Sequence, residues 1–300
     1  MTLVTQGAGE RIIVTMDRIP VYYTPKMVAD SGCFSPSAAK PTKVVASWQA
    51  QFPVEVIEPT PVTFDELCRA HDLDYVDGIL TGMIDNGFAN RSLTVAMSLP
   101  YTSGAMLSAA RAAVRNGKVA VAPCSGFHHA GWRTAEGYCT FNGLMVTALA
   151  LREDGVKSVG ILDLDMHYGN GTDQILQQLG NDGWCKHFTA GLTIEHPPQV
   201  NHFFNEWLPN ALDELAGCDV VLYQAGADPH IMDPYGGWME TDEMRRRDAV
   251  VFEILATHEV PVAWNLAGGY QVAPDGSIPK VLEIHDNTMR ECVRVHSTRG

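Results

Sequence analysis

The sequence predicts an α/β fold, a parallel β-sheet flanked by helices on both faces. Two observations carry this. Short β-branched apolar runs alternate with longer stretches of helical spacing. Each of the last four runs is also followed at once by a cluster of His, Asp, Gly or Tyr, the arrangement expected where parallel strands deliver loops to one rim. The apolar runs are residues 11–15, Val119–Ala122, and residues 158–162, 219–223 and 260–264. Helices are read between them at the Ala-rich residues 104–115, at 144–152, at 173–179 after Gly171, and at 242–258, a stretch charged on one side. The first hundred residues are Pro-rich and irregular, and little regular structure is read there. No linker interrupts the pattern, so residues 1–300 are read as one domain.

Composition narrows the partners. The chain has 300 residues, 46% hydrophobic and 19% charged, which suits a sizeable core. Its net charge of −14 repels nucleic acid and attracts a cationic substrate such as a polyamine or a Lys-rich tail, besides keeping the surface soluble. Residues 1–11 contain no apolar stretch, so no secretory signal is expected, and no run reaches the ~18 apolar residues of a membrane span. The seven cysteines are scattered and form no CxxC pair, which points to a reducing, cytoplasmic setting rather than to disulfides or a thiolate zinc site.

The strand-end clusters carry the chemistry. Val119–Ala122 leads to Gly126-Phe127-His128-His129, and residues 158–162 lead to Asp163-Leu164-Asp165-Met166-His167. The third run leads to Ala227-Asp228 and then Asp233-Pro234, and the fourth to Gly268-Gly269-Tyr270. Asp163, Asp165 and His167 alternate, so in an extended segment they share a face. Asp165, His167 and Asp233 offer two oxygens and one nitrogen, three protein ligands that leave a metal an open position. The set suits Zn²⁺, and Fe²⁺ or Co²⁺ as well, since no thiolate biases it. Asp228 and Asp233, beside Pro229 and Pro234, also read as turn residues. The adjacent histidines His128 and His129 supply the base and acid that amide hydrolysis needs. Tyr270, after two glycines, can donate its hydroxyl to a developing oxyanion.

Three segments, read together, resemble the signature of histone deacetylases and acetylpolyamine amidohydrolases. They are Gly126-Phe127-His128-His129-Ala130, Gly137-Tyr138-Cys139-Thr140-Phe141-Asn142, and Asp163-Leu164-Asp165-Met166-His167-Tyr168-Gly169-Asn170-Gly171-Thr172. Residues 247–252, Pro261-Val262 and Gly269-Tyr270-Gln271 look most like the class IV branch and its bacterial relatives. The resemblance implies an arginase-like fold and one catalytic zinc held by Asp165, His167 and Asp233. It implies His129 as general base and acid, hydrogen-bonded to Asn170, with His128 beside it oriented by Asp163. Asp163 and carbonyls of its loop would also hold a structural K⁺ or Na⁺. Tyr270 would bind the carbonyl oxygen, and Gly137 and Tyr138 would line the acyl tunnel. There are departures: Asn170 stands where the family often has Asp, Tyr138 where relatives often have Phe, and the His-x-x-His-Pro-Glu element is missing. Phe34-Ser35-Pro36-Ser37 and Lys40-Pro41 occupy that region, and the turn Glu195-His196-Pro197-Pro198 is expected to form the opposite tunnel wall.

The expected function is metal-dependent deacylation of an acyl-lysine in a protein or peptide, with an acylated small amine as the alternative substrate. A two-metal ureohydrolase is disfavoured, because Ala225-Gly226-Ala227-Asp228 offers one carboxylate where that chemistry uses two, and Asn170 replaces an acid. A non-catalytic binding protein is disfavoured by the intact set of chemical positions.

Overall fold

The computed structural model describes residues 17–193 and 200–297, together with the strand residues Leu3–Val4 (β1) and Ile12–Ile13 (β2). After these come β3 (Ile19–Tyr22), α1 (Lys40–Gln51), β4 (Val54–Ile57), α2 (Phe64–Ala70), α3 (Leu73–Leu80) and α4 (Leu93–Asn116). The central part runs β5 (Val119–Ala122), α5 (Gly143–Glu153), β6 (Val159–Asp163), α6 (Asn170–Leu179), β7 (Cys185–Thr189) and α7 (Ala190–Thr193). It continues through α8 (Val200–His202), α9 (Leu208–Leu215), β8 (Val220–Gln224), α10 (Thr241–Thr257), β9 (Val262–Asn265) and α11 (Pro279–His296). Seven strands form one sheet in the order β4-β3-β5-β9-β8-β6-β7, and every pairing in it is parallel. The predicted α/β class is therefore the observed one. Among the described residues no helix is long and apolar enough to cross a membrane.

The central strands are buried on both faces, as parallel strands covered by crossover helices must be. Alternate residues therefore enter different cores. Val119, Val121, Val221, Tyr223 and Trp264 join one cluster with Trp48 of α1, Leu212 of α9, Phe252 of α10 and Ile284 of α11. Ala120, Ala122, Val220, Leu222 and Ala263 join the other with Leu67 of α2, Met106 of α4 and Leu144 of α5. The small alanines of β5 and of α4 let this helix and the sheet approach closely.

Several elements differ from the sequence reading. The run 11–15 is not a strand of the main sheet, because Ile12–Ile13 pairs with Leu3–Val4 in a separate antiparallel ribbon. The strand in the sheet is β3, whose Pro20 discourages a strand assignment. It is tolerated because β3 meets β5 through a single residue pair, Val21 with Val121. Among the described residues, the first hundred hold α1, α2, α3, a 3-10 turn at Pro25–Met27 and part of α4, which starts at Leu93 with Pro100 inside it. Helix α11 escapes the periodicity because its buried stripe includes His285, Thr288 and Glu291. The turn 195–198 lies outside the described residues.

One buried ion pair ties the helical layer to the strand ends. Arg247 of α10 is fully buried; its Nη1 donates to the carbonyls of Leu164 (3.1 Å) and Gly226 (2.8 Å), and its Nε to Asp248 (2.8 Å). Asp248 also accepts from the hydroxyls of Tyr223 and Thr288. Removing one partner of such a pair leaves an uncompensated charge, so Arg247→Met should destabilise the fold by about 3–5 kcal/mol in denaturant unfolding. Adding Asp248→Asn should recover part of that loss, and a double variant as unstable as the sum of the singles would show that the pair is not coupled.

Candidate active site

Neighbouring strands end in register, and their last residues form a polar rim. Asp163 of β6 pairs with Gln224 of β8, and Gln224 with Asn265 of β9. Gln224 Nε2 donates to Asp163 Oδ1 (3.0 Å), and the other Asp163 oxygen faces Nδ1 of His128 at 2.7 Å. Asp163 is thus hydrogen-bonded to His128 and links it to Gln224.

Beyond Asp163 the chain does not continue as a strand, so the expected alternation of Asp163, Asp165 and His167 on an extended segment is replaced by two tight turns. The amide of Asp165 donates to Asp163 Oδ1 (3.2 Å), and the amide of His167 to Asp165 Oδ1 (3.0 Å). Each carboxylate caps the backbone two residues on, the local habit of Asp in turns. Asp165 and His167 are thereby brought to a common point, and Asp163 is turned away to His128.

The second carboxylate that meets His167 is Asp228, and the expected ligand Asp233 lies beside this group, raised by burial and near enough for the Asp165 charge to raise it further. Among the described residues, Asp165, His167 and Asp228 place one ligand atom each within 4.8 Å of one another. Nδ1 of His167 lies 3.1 Å from Asp165 Oδ1 and 3.0 Å from Asp228 Oδ2. The two oxygens of Asp233 accept from the amides of Tyr235 (3.1 Å) and Tyr270 (2.8 Å), so it braces the loops that carry those rings. Position relative to the strand was the available signal. Asp228 lies four residues after the end of β8, much as Asp165 lies two after β6, whereas Asp233 is farther out.

Close backbone approach makes the cluster fit. A Cβ on Gly268 would sit 2.4 Å from the Asp228 carboxyl carbon, and one on Gly226 would sit 2.7 Å from Asp165 Cα. Glycine is required at both positions because side chains of the site occupy that space.

The electrostatics call for a cation. Burial and the neighbouring Asp165 carboxylate push Asp228 up to about 8. Burial would raise Asp165 too, but the charge of His128 and the hydrogen bond from His167 hold it well below the usual carboxylate range. The hydrogen bonds to Asp165 and Asp228 push His167 up to about 11, so its imidazolium supplies the positive charge that the pair demands. Two hard oxygens and one imidazole nitrogen, converging where the empty site has to retain protons, fit a divalent cation, which would take the place of those protons.

The two adjacent histidines are driven apart. Burial alone would lower His128, but the Asp163 and Asp165 carboxylates push it up to about 9. Burial and the charge of His128 lower His129 instead. Nδ1 of His129 donates to Asn170 Oδ1 at 2.6 Å, the partner expected from the sequence. The rings lie 4.1 Å apart, one charged and one neutral at neutral pH.

A cleft of about 340 Å³ opens over the cluster, lined by Gly87, His129, Gly137, Tyr138, His167, Tyr235 and Tyr270. Gly137 and Tyr138 thus stand where the tunnel wall was expected, and a Cβ on Gly137 would lie 2.3 Å from the His129 ring. Tyr270 is nearly buried, its hydroxyl pushed well above the ordinary value by burial and then by the site carboxylates, so it remains a proton donor. Sequence reasoning missed Tyr235, whose hydroxyl meets that of Tyr138 at 2.6 Å across the cleft mouth. It also missed Lys40, fully buried, with Nζ donating to the carbonyls of Ala267 (2.6 Å) and Gly268 (3.0 Å).

Comparison with known proteins bears on the family and the fold. Residues 37–182 match the family model of the histone deacetylase domain. The chain is 28% identical over 184 residues to the acetylpolyamine amidohydrolase of Mycoplana ramosa, covering 52% of this chain and 53% of that protein. It is 32% identical over 133 residues to histone deacetylase 15 of Arabidopsis thaliana, covering 41% of this chain and 23% of that protein. The chain thus matches about half or less of the length of these two relatives. Among solved structures, the HDA15 HD domain superposes with a TM-score of 0.73 at 20% identity, covering 94% of this chain and 91% of that one. An acetylpolyamine aminohydrolase from Burkholderia pseudomallei superposes with a TM-score of 0.70 at 18% identity, covering 92% of this chain and 98% of that one.

The pKa directions set a sign for stability against pH. Asp228, raised from 3.8 to about 8, holds a proton in the fold that the unfolded chain has lost, so stability falls as pH rises between those values. His128 and His167, raised from 6.5 to about 9 and about 11, stabilise fully below 6.5 and lose that contribution as pH rises through the folded values. The cation-free chain should therefore melt at a lower temperature at about pH 8.5 than at about pH 6, and a divalent cation, which displaces the protons of Asp228 and His167, should raise the melting temperature more at the higher pH. An equal or larger increment at the lower pH would contradict this assignment of the cluster.

Proposed function

We infer that this chain, which belongs to the family of histone deacetylases and acetylpolyamine amidohydrolases, hydrolyses the amide of an acylated amine with the help of one divalent ion. The observation that carries this is the pairing of two imidazoles with unlike partners, His128 with the Asp163 carboxylate and His129 with the Asn170 amide, beside the Asp165–His167–Asp228 cluster, with the Tyr270 ring lining the same cleft. Asp165, His167 and Asp228 would hold the ion, with Zn²⁺ the first assignment and Fe²⁺ or Co²⁺ compatible with the same donors. When bound, it supplies Lewis acidity to the amide carbonyl and to the attacking water.

The chain's own groups do the rest. His129, neutral and with Nδ1 donating to Asn170, takes the water proton at Nε2 and returns it to the leaving amine. His128, held charged by Asp163, places positive charge beside the oxygens where negative charge builds. The Tyr270 hydroxyl donates to the former carbonyl oxygen, a bond that strengthens as charge develops. Gly137 and Tyr138 form one wall of the acyl path. The structural K⁺ or Na⁺ implied by the family would rely on loop carbonyls, since Asp163 already accepts from His128, Gln224 and the Asp165 amide.

Acyl-lysine in a protein or peptide is the substrate proposed first. The net charge of −14 and the aromatic mouth formed by Tyr138, Tyr235 and the exposed Phe34 also favour a small cationic acyl-amine, because ring faces attract ammonium groups. Seven free thiols support a reducing, cytoplasmic setting.

Chelation should abolish hydrolysis, and Zn²⁺ or Co²⁺ should restore it with one ion per chain. Two tightly bound catalytic ions per chain by elemental analysis would overturn the single-ion reading, and relative turnover of acetyl-lysine peptides and acetylspermidine-like amines decides the substrate class. Tyr270→Phe should lower turnover on the order of a hundred- to a thousand-fold with near-normal KM and unchanged melting temperature. Wild-type turnover in that variant would remove the hydroxyl from the mechanism.

A further inference from the structure

The neutral partner of His129 poses a chemical problem that a carboxylate would not. Both oxygens of an Asp accept, so either orientation calls for a proton on the facing imidazole nitrogen. An Asn amide has an accepting end and a donating end. With its oxygen toward His129 it requires Nδ1–H and leaves a lone pair on Nε2; with its NH₂ toward His129 it selects Nε2–H, which cannot accept a proton. Nothing in Asn170 itself chooses between the two.

Glu136 makes that choice. Its Oε1 accepts from Asn170 Nδ2 at 2.6 Å, while Asn170 Oδ1 accepts from His129 Nδ1 at 2.6 Å. An ionised carboxylate accepts and does not donate, so it fixes the NH₂ end toward itself and the oxygen toward the imidazole. Glu136 is in turn held by its backbone. Its amide donates to the Cys139 carbonyl (3.1 Å), and the Cys139 amide donates to the Glu136 carbonyl (2.8 Å). The next residue, Gly137, has φ +55 and lies so close beneath the His129 ring that a Cβ would reach within 2.3 Å of it. The segment that supports the base from below thus also carries the carboxylate that orients its partner.

We propose that Glu136 is a positioning residue, which acts through Asn170 to hold His129 in the Nδ1–H tautomer that leaves Nε2 free as the base. This rests on the reading of His129 as the general base of an amide hydrolase. The role is separable from packing, because Glu136 is exposed and touches the imidazole only through the amide.

The test reverses the hydrogen-bond polarity on the metal-loaded chain. In Glu136→Lys the ammonium donates, so the amide turns its oxygen outward and presents NH₂ to Nδ1. Turnover should fall at least about tenfold with little change in KM, since a catalytic imidazole in the wrong tautomer can lose as much as about ten-thousandfold. The ¹⁵N signals of His129, assigned by comparison with His129→Gln, should change from the Nδ1–H to the Nε2–H pattern. Glu136→Gln can still accept with its carbonyl oxygen and should rescue both turnover and tautomer. In an Asn170→Asp background there is no amide to orient, so Glu136→Lys should no longer inhibit.

Retention of the Nδ1–H pattern in Glu136→Lys would overturn the proposal. So would equal sensitivity with Asn170 or with Asn170→Asp, which would mark a plain charge effect. The tautomer is read without substrate, so a wild-type chain that hydrolyses no acyl-amide would refute the proposed activity while the ¹⁵N pattern still decides the role of Glu136.

Discussion

Two carboxylates, Asp165 and Asp228, are buried side by side against a single imidazole at the ends of neighbouring strands, and the rest of the site is organised around that charge. Buried like charges at this spacing are unfavourable unless a cation or a proton intervenes. The fold places them there by ending β6 and β8 in register, so the loops that follow leave the sheet next to one another. Glycines at 226 and 268 let the chain pass within contact of the carboxylates.

Cationic and dipolar groups hold this arrangement from behind. Arg247 grips the carbonyls of Leu164 and Gly226, each adjacent to a loop that carries a cluster residue. Lys40 grips the carbonyls of Ala267 and Gly268, which lead into Tyr270; burial lowers its ammonium to about 8, opposed by the charges of Asp228 and Asp165. Asp233 joins the same framework through the amides of Tyr235 and Tyr270. Three loops from three strands are thus fastened to one another mainly through main-chain groups, leaving side chains free to face the cleft.

The two histidines show how partner identity divides a duplicated residue into two roles. His128 faces a fully buried carboxylate and stays charged. His129 faces an amide, lies beside that charge and stays neutral. Placing the two histidines on consecutive residues brings their rings within 4.1 Å of each other. The unlike partners keep them from titrating alike.

The sequence by itself determined the alternation of strand and helix, the strand ends whose loops converge, and most residues of the candidate site. These are local properties: a β-branched run, a following Gly-rich turn, and His or Asp within a few residues of it. It also foretold the contacts of His128 with Asp163 and of His129 with Asn170, through the family resemblance. Tertiary structure alone set the contacts of Asp228 and Asp233, which lie in one loop: Asp228 meets His167, and Asp233 accepts from the amides of Tyr235 and Tyr270. It likewise decided the placement of β3, where a single-pair contact makes Pro20 acceptable, and of α11, whose buried Thr288 and Glu291 meet Asp248 and Arg245 of α10. Glu136 and Tyr235 were invisible for the same reason: each acts through a contact with a residue 34 or 97 positions away. Local pattern encodes which chemistry a loop can carry, whereas the distances between loops arise only when the sheet is assembled.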